Sequence, residues 1–294
     1  MKKIGLFLLA ACITGISSCG PDAEVDLETE VIKGRPTVVY IDNDKKELLH
    51  YTSENQLSKI VCDYTGVYEK TLNIHYSGND ITGCTYTRNP EGGGISKIDF
   101  NKIGNERIHV SIIFGENGAE WNQIIDLNNE GLPVRYSYLV DGNESLESEI
   151  SYMPNSSRIH QIKRYVWTQN SYTVRTHTLE YDDNPGITGN INCPVWFRLF
   201  LYNIIVVQSA DTGESYEELI NYVNNVVKEK IHVTYINPLL PPYDMEDVEN
   251  QYAYDEEGYP VSATKGSSET ITIINEEGKP VSVPKEPSTI TIKY

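Results

Sequence analysis

An antiparallel β-meander, curved into a barrel-like or half-barrel sheet, is the fold this mainly β sequence predicts, with one or two helices between about residues 194 and 230. Three observations lead to it. From Arg35 to Tyr294 the dominant hydrophobic period is two, a Gly-x-Pro-Val turn recurs, and 21 Tyr stand against 5 Phe and 3 Trp. Period-two alternation puts one face of a strand in a core and the other in water, as antiparallel sheets require. Tyrosine supplies a ring that packs and a hydroxyl that stays wet, which suits exposed sheet faces and also stacking on sugars.

The N-terminus resembles a bacterial lipoprotein signal. Lys2 and Lys3 precede an apolar run from Ile4 to Ile16, broken by Gly5, Thr14 and Gly15, and Ser17 and Ser18 bring small side chains up to Cys19. The run falls short of the about 20 apolar residues of a membrane span. Residues 1–18 therefore read as a signal peptide, cleaved before Cys19, with Cys19 the lipid attachment site. Acyl chains there tether the protein to a membrane without burying it. Residues 19–34 follow as an acidic tether, with Asp22, Glu24, Asp26, Glu28 and Glu30 at every second position. Residues 35–294 form the β domain.

Within that domain Ile108, Val110, Ile112 and Phe114 alternate with His109, Ser111 and Ile113. Val134, Tyr136, Tyr138 and Val140 alternate with Arg135, Ser137 and Leu139, and Leu146, Ser148, Ile150 and Tyr152 with Glu147, Glu149 and Ser151. The turn Asn129-Glu130-Gly131-Leu132-Pro133-Val134 recurs from Glu256 to Val261 and from Glu276 to Val281. Its glycine supplies a positive φ, and its proline opens a strand where no ladder donor is needed.

Two stretches break the β pattern. Val195 to Val207 is apolar on all sides except Arg198, Tyr202 and Asn203, so it belongs in the interior, as a helix or as a central strand. Ser215 and Glu218 form a capping box, after which Leu219, Ile220, Val223, Val226 and Val227 fall at helical spacing up to about Lys230. Together they suggest a helical hairpin plugging the open side of a curved sheet. Ile290, Ile292 and Tyr294 alternate to the C-terminus like the closing strand of an outer-membrane barrel. The strands are too short and too charged for a lipid-facing band, so this reads as an amphipathic last strand.

Chemistry is sparse. The six histidines are scattered singly over predicted strands, without the spacing of a zinc pair. Neither a nucleophile elbow nor a Cys-x-x-Cys pair occurs. The glycines of Asn89 to Gly94 lack the Lys-Ser or Lys-Thr of a phosphate loop. Asp244, Glu246, Asp247 and Glu249, with Asp255 to Glu257, make the densest acidic group, which reads as a solvated face more readily than as a calcium loop. No catalytic residue, metal ligand or cofactor is assigned. Removing residues 1–18 takes two of the 24 basic residues and none of the 42 acids, leaving 22 against 42 and a net charge of −20. A field of that sign repels phosphate backbones and argues against nucleic acid. Once Cys12 leaves and Cys19 is acylated, Cys62, Cys84 and Cys193 remain. Cys62 and Cys84 are expected on strands separated by a third, about 9 to 10 Å apart, too far for a disulfide.

The lipoprotein start, the Gly-x-Pro-Val meander and the Leu179-Glu180-Tyr181-Asp182-Asp183-Asn184-Pro185 stretch before an apolar segment resemble an uncharacterised Bacteroidetes lipoprotein family with a porin-like fold. The resemblance implies a soluble, barrel-like antiparallel sheet over most of Arg35 to Tyr294, and brings no catalytic residues. Gly186 and Gly189 depart from the pattern and are expected to loosen the approach to the apolar segment. The expected role is a cell-envelope lipoprotein of the outer membrane, a non-enzymatic binding or scaffolding module for a glycan or an envelope protein. Tyr136 and Tyr138 are its candidate ligand-binding residues. The alternatives are a hydrophobic-ligand or lipid-binding half-barrel and a surface polysaccharide hydrolase using paired carboxylates.

Overall fold

A computed structural model describes residues 34–42, 45–64, 67–89, 94–115, 118–168, 171–202, 217–235, 240–245, 247–266, 270–274, 280–284 and 286–294. The signal peptide, Cys19, the tether up to residue 33 and Ser215 lie outside these. The strands are β1 (Val38–Ile41), β2 (Lys45–Tyr51), β3 (Leu57–Tyr64), β4 (Tyr68–Ser77), β5 (Asp80–Asn89), β6 (Ile95–Ile103), β7 (Arg107–Phe114), β8 (Ala119–Leu127), β9 (Pro133–Val140) and β10 (Asn143–Tyr152). They continue as β11 (Ile159–Thr168), β12 (Ser171–Pro185), β13 (Asn224–Tyr235), β14 (Tyr243–Asp244), β15 (Val248–Tyr254), β16 (Pro260–Lys265), β17 (Thr270–Ile274), β18 (Pro280–Pro284) and β19 (Ser288–Lys293).

Among the described residues, sixteen of these strands close into one antiparallel barrel. β1 to β13 pair in sequence order, β13 pairs with β15, β15 with β16, β16 with β19, and β19 returns to β1. β14 is a two-residue addition to β13, and β17 with β18 forms a separate hairpin. Closure resolves the choice between barrel and half-barrel, and leaves the ring without a free edge.

A ring of this size encloses more space than wall side chains fill; porins of similar strand number carry a water channel there. Here helix α1, residues 195–202, occupies the space. Phe197, Phe200 and Leu201 are fully buried, and Phe100 on β6 meets Trp196, Phe197 and Phe200 edge-on with ring centroids 5.2, 5.6 and 5.1 Å apart. A helix apolar all round needs burial on all sides, as the sequence suggested.

The second expected helix is corrected. Glu217–Ile220 makes one 3₁₀ turn, and the chain then enters β13 at Asn224. Asparagine side chains take the backbone partners a helix would have supplied: Asn221 Oδ1 accepts from Val226 N at 3.0 Å, and Asn225 Oδ1 from Ile187 N at 3.1 Å. Beyond them Ile231 and Val233 are buried while Lys230 and His232 are exposed, the period of a strand.

The same alternation holds around the ring and sets the polarity of the wall. Leu72 and Ile74 are buried between Thr71, Asn73 and His75; Ile108, Val110 and Ile112 between Arg107, His109 and Ser111; Ile290 and Ile292 between Thr289, Thr291 and Lys293. On these strands the apolar side chains point inward and the polar ones outward. Cys62 on β3 and Cys84 on β5 form no disulfide, and β4 lies between them, as expected.

Candidate functional site

The tyrosine surplus finds a structural use at one end of the barrel. Tyr51, Tyr76, Tyr152 and Tyr294 each close a strand there, and each hydroxyl donates to a carbonyl at or just before the start of a nearby strand: Pro36 O at 2.6 Å, Leu57 O at 2.7 Å, Pro133 O at 2.7 Å and Pro260 O at 2.8 Å. A phenylalanine packs the same ring but leaves the carbonyl without that donor. The hairpin turns beside these latches share one geometry. Asn128 Oδ1 accepts from the amides of Glu130 and Leu132, Asp255 Oδ1 from those of Glu257 and Tyr259, and Gly131 and Gly258 have φ of 76° and 87°. The repeat thus begins three residues before the glycine of its Gly-x-Pro-Val core, at an Asx residue whose side chain builds the turn.

The Leu179 to Pro185 stretch fixes where the chain leaves the wall for the interior. Asp182 Oδ1 accepts from the amides of Asn184 and Asn225, both at 3.1 Å, and Asp182 Oδ2 from the Tyr254 hydroxyl. Gly186 tightens this corner instead of loosening it: a Cβ there would lie 2.1 Å from Asn221 O. Arg198 on α1 then ties down the incoming loop, donating to Cys193 O at 3.0 Å, Thr188 O at 2.6 Å and Ile191 O. These residues are architecture.

Groups without partners gather toward the opposite end of the lumen, on β8 to β13. Gln123 stands opposite Tyr138 in the β8–β9 ladder, next to the pair Ile125 and Tyr136, so both face inward with the core. A bulge between Leu146 and Ser148 turns Glu147 inward as well. Tyr138 donates to Glu147 and accepts from Gln123. Gln123 is 3 % exposed and Glu147 9 %, yet Gln123 Oε1 and Glu147 Oε2 lack hydrogen-bond partners, as do the buried Nε and Nη2 of Arg164 on β11. Arg164 stacks on the Tyr202 ring at 5.0 Å and acts electrostatically on Glu147 and on Glu229 of β13. His177 Nδ1 meets Glu229 Oε1 at 2.6 Å.

The two carboxyls are tuned apart. Burial lifts Glu147 to about 7, against the opposing pull of Arg164 and the Tyr138 hydrogen bond. Burial acts on Glu229 in the same sense, but the His177 hydrogen bond and charge, with Arg164 and Lys265, outweigh it and hold Glu229 below its ordinary value. Such divergence marks acid–base pairs in enzymes. Here two strands lie between β10 and β13, so the pair is separated by three strand spacings, about 14 Å of wall.

The tyrosines singled out from the sequence are placed differently than expected. Tyr136 is 1 % exposed, a core residue whose hydroxyl donates to Trp196 O at 3.3 Å, so it forms no surface platform. Tyr138 lines the lumen beside Trp121, ring centroids 6.4 Å apart, and Trp121 is 50 % exposed. Gln123, Glu147 and Arg164 escaped sequence reasoning. Glu147 falls on the wet side of a strict alternation, and nothing in the sequence announces the bulge. The acidic group near β14 pairs with the wall: Asp244 with His232 at 2.7 Å and Asp247 with Lys228 at 2.8 Å.

No family model and no curated protein matches the chain. Among solved structures it is similar to a porin-like protein from Bacteroides uniformis ATCC 8492, at 13% identity and a TM-score of 0.48, over 88% of this chain and 96% of that one.

Proposed function

We propose that this chain is a lipid-anchored, non-enzymatic binding module of the cell envelope, tethered to the outer membrane through Cys19, with a glycan or an envelope protein as its ligand. The polarity of the wall carries this reading. A barrel embedded in lipid needs an apolar outer band, and each Lys or Arg at the bilayer midplane costs about 2–4 kcal/mol. This barrel turns Lys163, Glu180 and Lys230 outward on neighbouring strands and keeps its isoleucines within. Membrane attachment therefore falls to the lipid at Cys19, and the anchor has a purpose that it would lack on an embedded barrel.

The interior argues against a hydrophobic cargo, since α1 fills the apolar lumen. The commitment of Glu229 to His177 argues against a hydrolase. Mass spectrometry of the N-terminal peptide from membrane-purified protein tests the anchor. The reading expects a chain beginning at Cys19 that carries thioether-linked diacylglycerol and an amide-linked acyl group. An unmodified Cys19, or a mature start elsewhere, contradicts it.

A further inference from the structure

At the lumen mouth that holds the unpartnered groups, Trp121 presents a half-exposed indole on the inward face of β8, opposite the core residue Ile112. Phe114 buttresses it on one side, 4.7 Å between centroids, and Tyr138 on the other. Directly behind it, two positions along β8 and across the ladder, stand Gln123, Tyr138 and Glu147. Two acceptor atoms, Gln123 Oε1 and Glu147 Oε2, and two donors, Arg164 Nε and Nη2, are buried there without partners. Buried polar groups are almost always satisfied, so four open sites in one cluster call for a ligand or ordered water to meet them.

We infer that this mouth binds a pyranose sugar, its C–H face stacked on Trp121 and its vicinal hydroxyls hydrogen-bonded by Gln123, Glu147 and Arg164. The chemistry of the mouth selects this class. A flat apolar platform beside planar amide, carboxyl and guanidinium groups matches a ring with one apolar face and an edge of hydroxyls, each able to donate and accept. An aliphatic chain would cover the indole and leave the buried polar atoms unmet. A peptide adding as a strand requires a free sheet edge, which the closed ring does not offer. The site rests on the binding-module reading and gives that module its ligand.

The test applies the purified full chain to an array of oligosaccharides ending in neutral hexoses, N-acetylhexosamines and uronates. The best of these is then titrated by calorimetry into wild type, Trp121→Ala and Trp121→Phe. The expected result is a saturable hit, weakened at least tenfold by Trp121→Ala, largely kept by Trp121→Phe, with the thermal midpoints of all three proteins alike. The absence of any bound oligosaccharide, or an affinity unmoved by Trp121→Ala, overturns the sugar site. If that happens while Cys19 is found acylated, the sugar site alone fails; an unmodified Cys19 removes the parent reading independently.

Discussion

Replacing Glu147 with glutamine should flatten the pH dependence of this barrel's stability. The Glu147 carboxyl is buried on the inner wall and titrates at about 7, against an ordinary 4.5. Its folded pKa stands above its unfolded one, so between those values the folded state holds a proton that the unfolded state has released. The stability associated with that proton is present in full below about pH 4.5 and is lost as the pH rises to and through 7. At about 1.36 kcal/mol per pH unit, the loss comes to about 3 kcal/mol. Glutamine keeps the shape of the protonated carboxyl and does not ionise. Urea unfolding at pH 5 and pH 8 should therefore show the wild type losing about 2.5 kcal/mol more than Glu147→Gln across that interval, part of the loss having already occurred by pH 5. Equal losses in the two proteins would refute the inward, desolvated placement of Glu147, and with it the bulge that turns it there.

Gly186→Ala should cost more than about 3 kcal/mol or prevent folding, because its Cβ would sit 2.1 Å from Asn221 O, which Thr188 N already holds at 3.1 Å; denaturant midpoints check it. Arg198→Met leaves three buried carbonyls without their donor and should destabilise by about 3 kcal/mol or more, read the same way. Tyr152→Phe and Tyr294→Phe should each cost about 1 kcal/mol, a loss well below that of either core change. Cys62, Cys84 and Cys193 are 1 %, 0 % and 7 % exposed, and burial pushes the Cys193 thiol up to about 12. Native mature protein should resist thiol labelling, and denatured protein should take up label at these three residues; rapid native labelling would contradict the packing.

The strands and turns were legible because their signals are local. Ile108, Val110 and Ile112 announce an inner face on their own, and Gly131 with Pro133 marks a reversal within six residues. Closure was less legible, since the β19–β1 pairing joins residues about 250 apart, and no periodicity reports which strands meet. The misread helix at Val223 to Lys230 shows how few residues separate periods: across a 3₁₀ turn and a strand with shifted register, valines fall at helical spacing by chance. A ligand-binding and a core role for Tyr136 read alike from sequence, because a tyrosine on an alternating strand can pack or face water, and only its neighbours decide. Glu147 depends on one inserted residue in a ladder, and by strict alternation it reads as an ordinary outer-wall charge. Trp121 carried no signal in the sequence, and only the register against Ile112 shows which way it faces.

The most direct test of a barrel that is tethered to a membrane and not embedded in one is the partitioning of Cys19→Ser in the native host. Wild type should sediment with outer membranes. Cys19→Ser should pass into the aqueous fraction with the β-rich circular dichroism spectrum and cooperative unfolding of the wild type. A folded Cys19→Ser barrel that stays in the membrane through a carbonate wash would contradict the outward-polar wall, and the account with it.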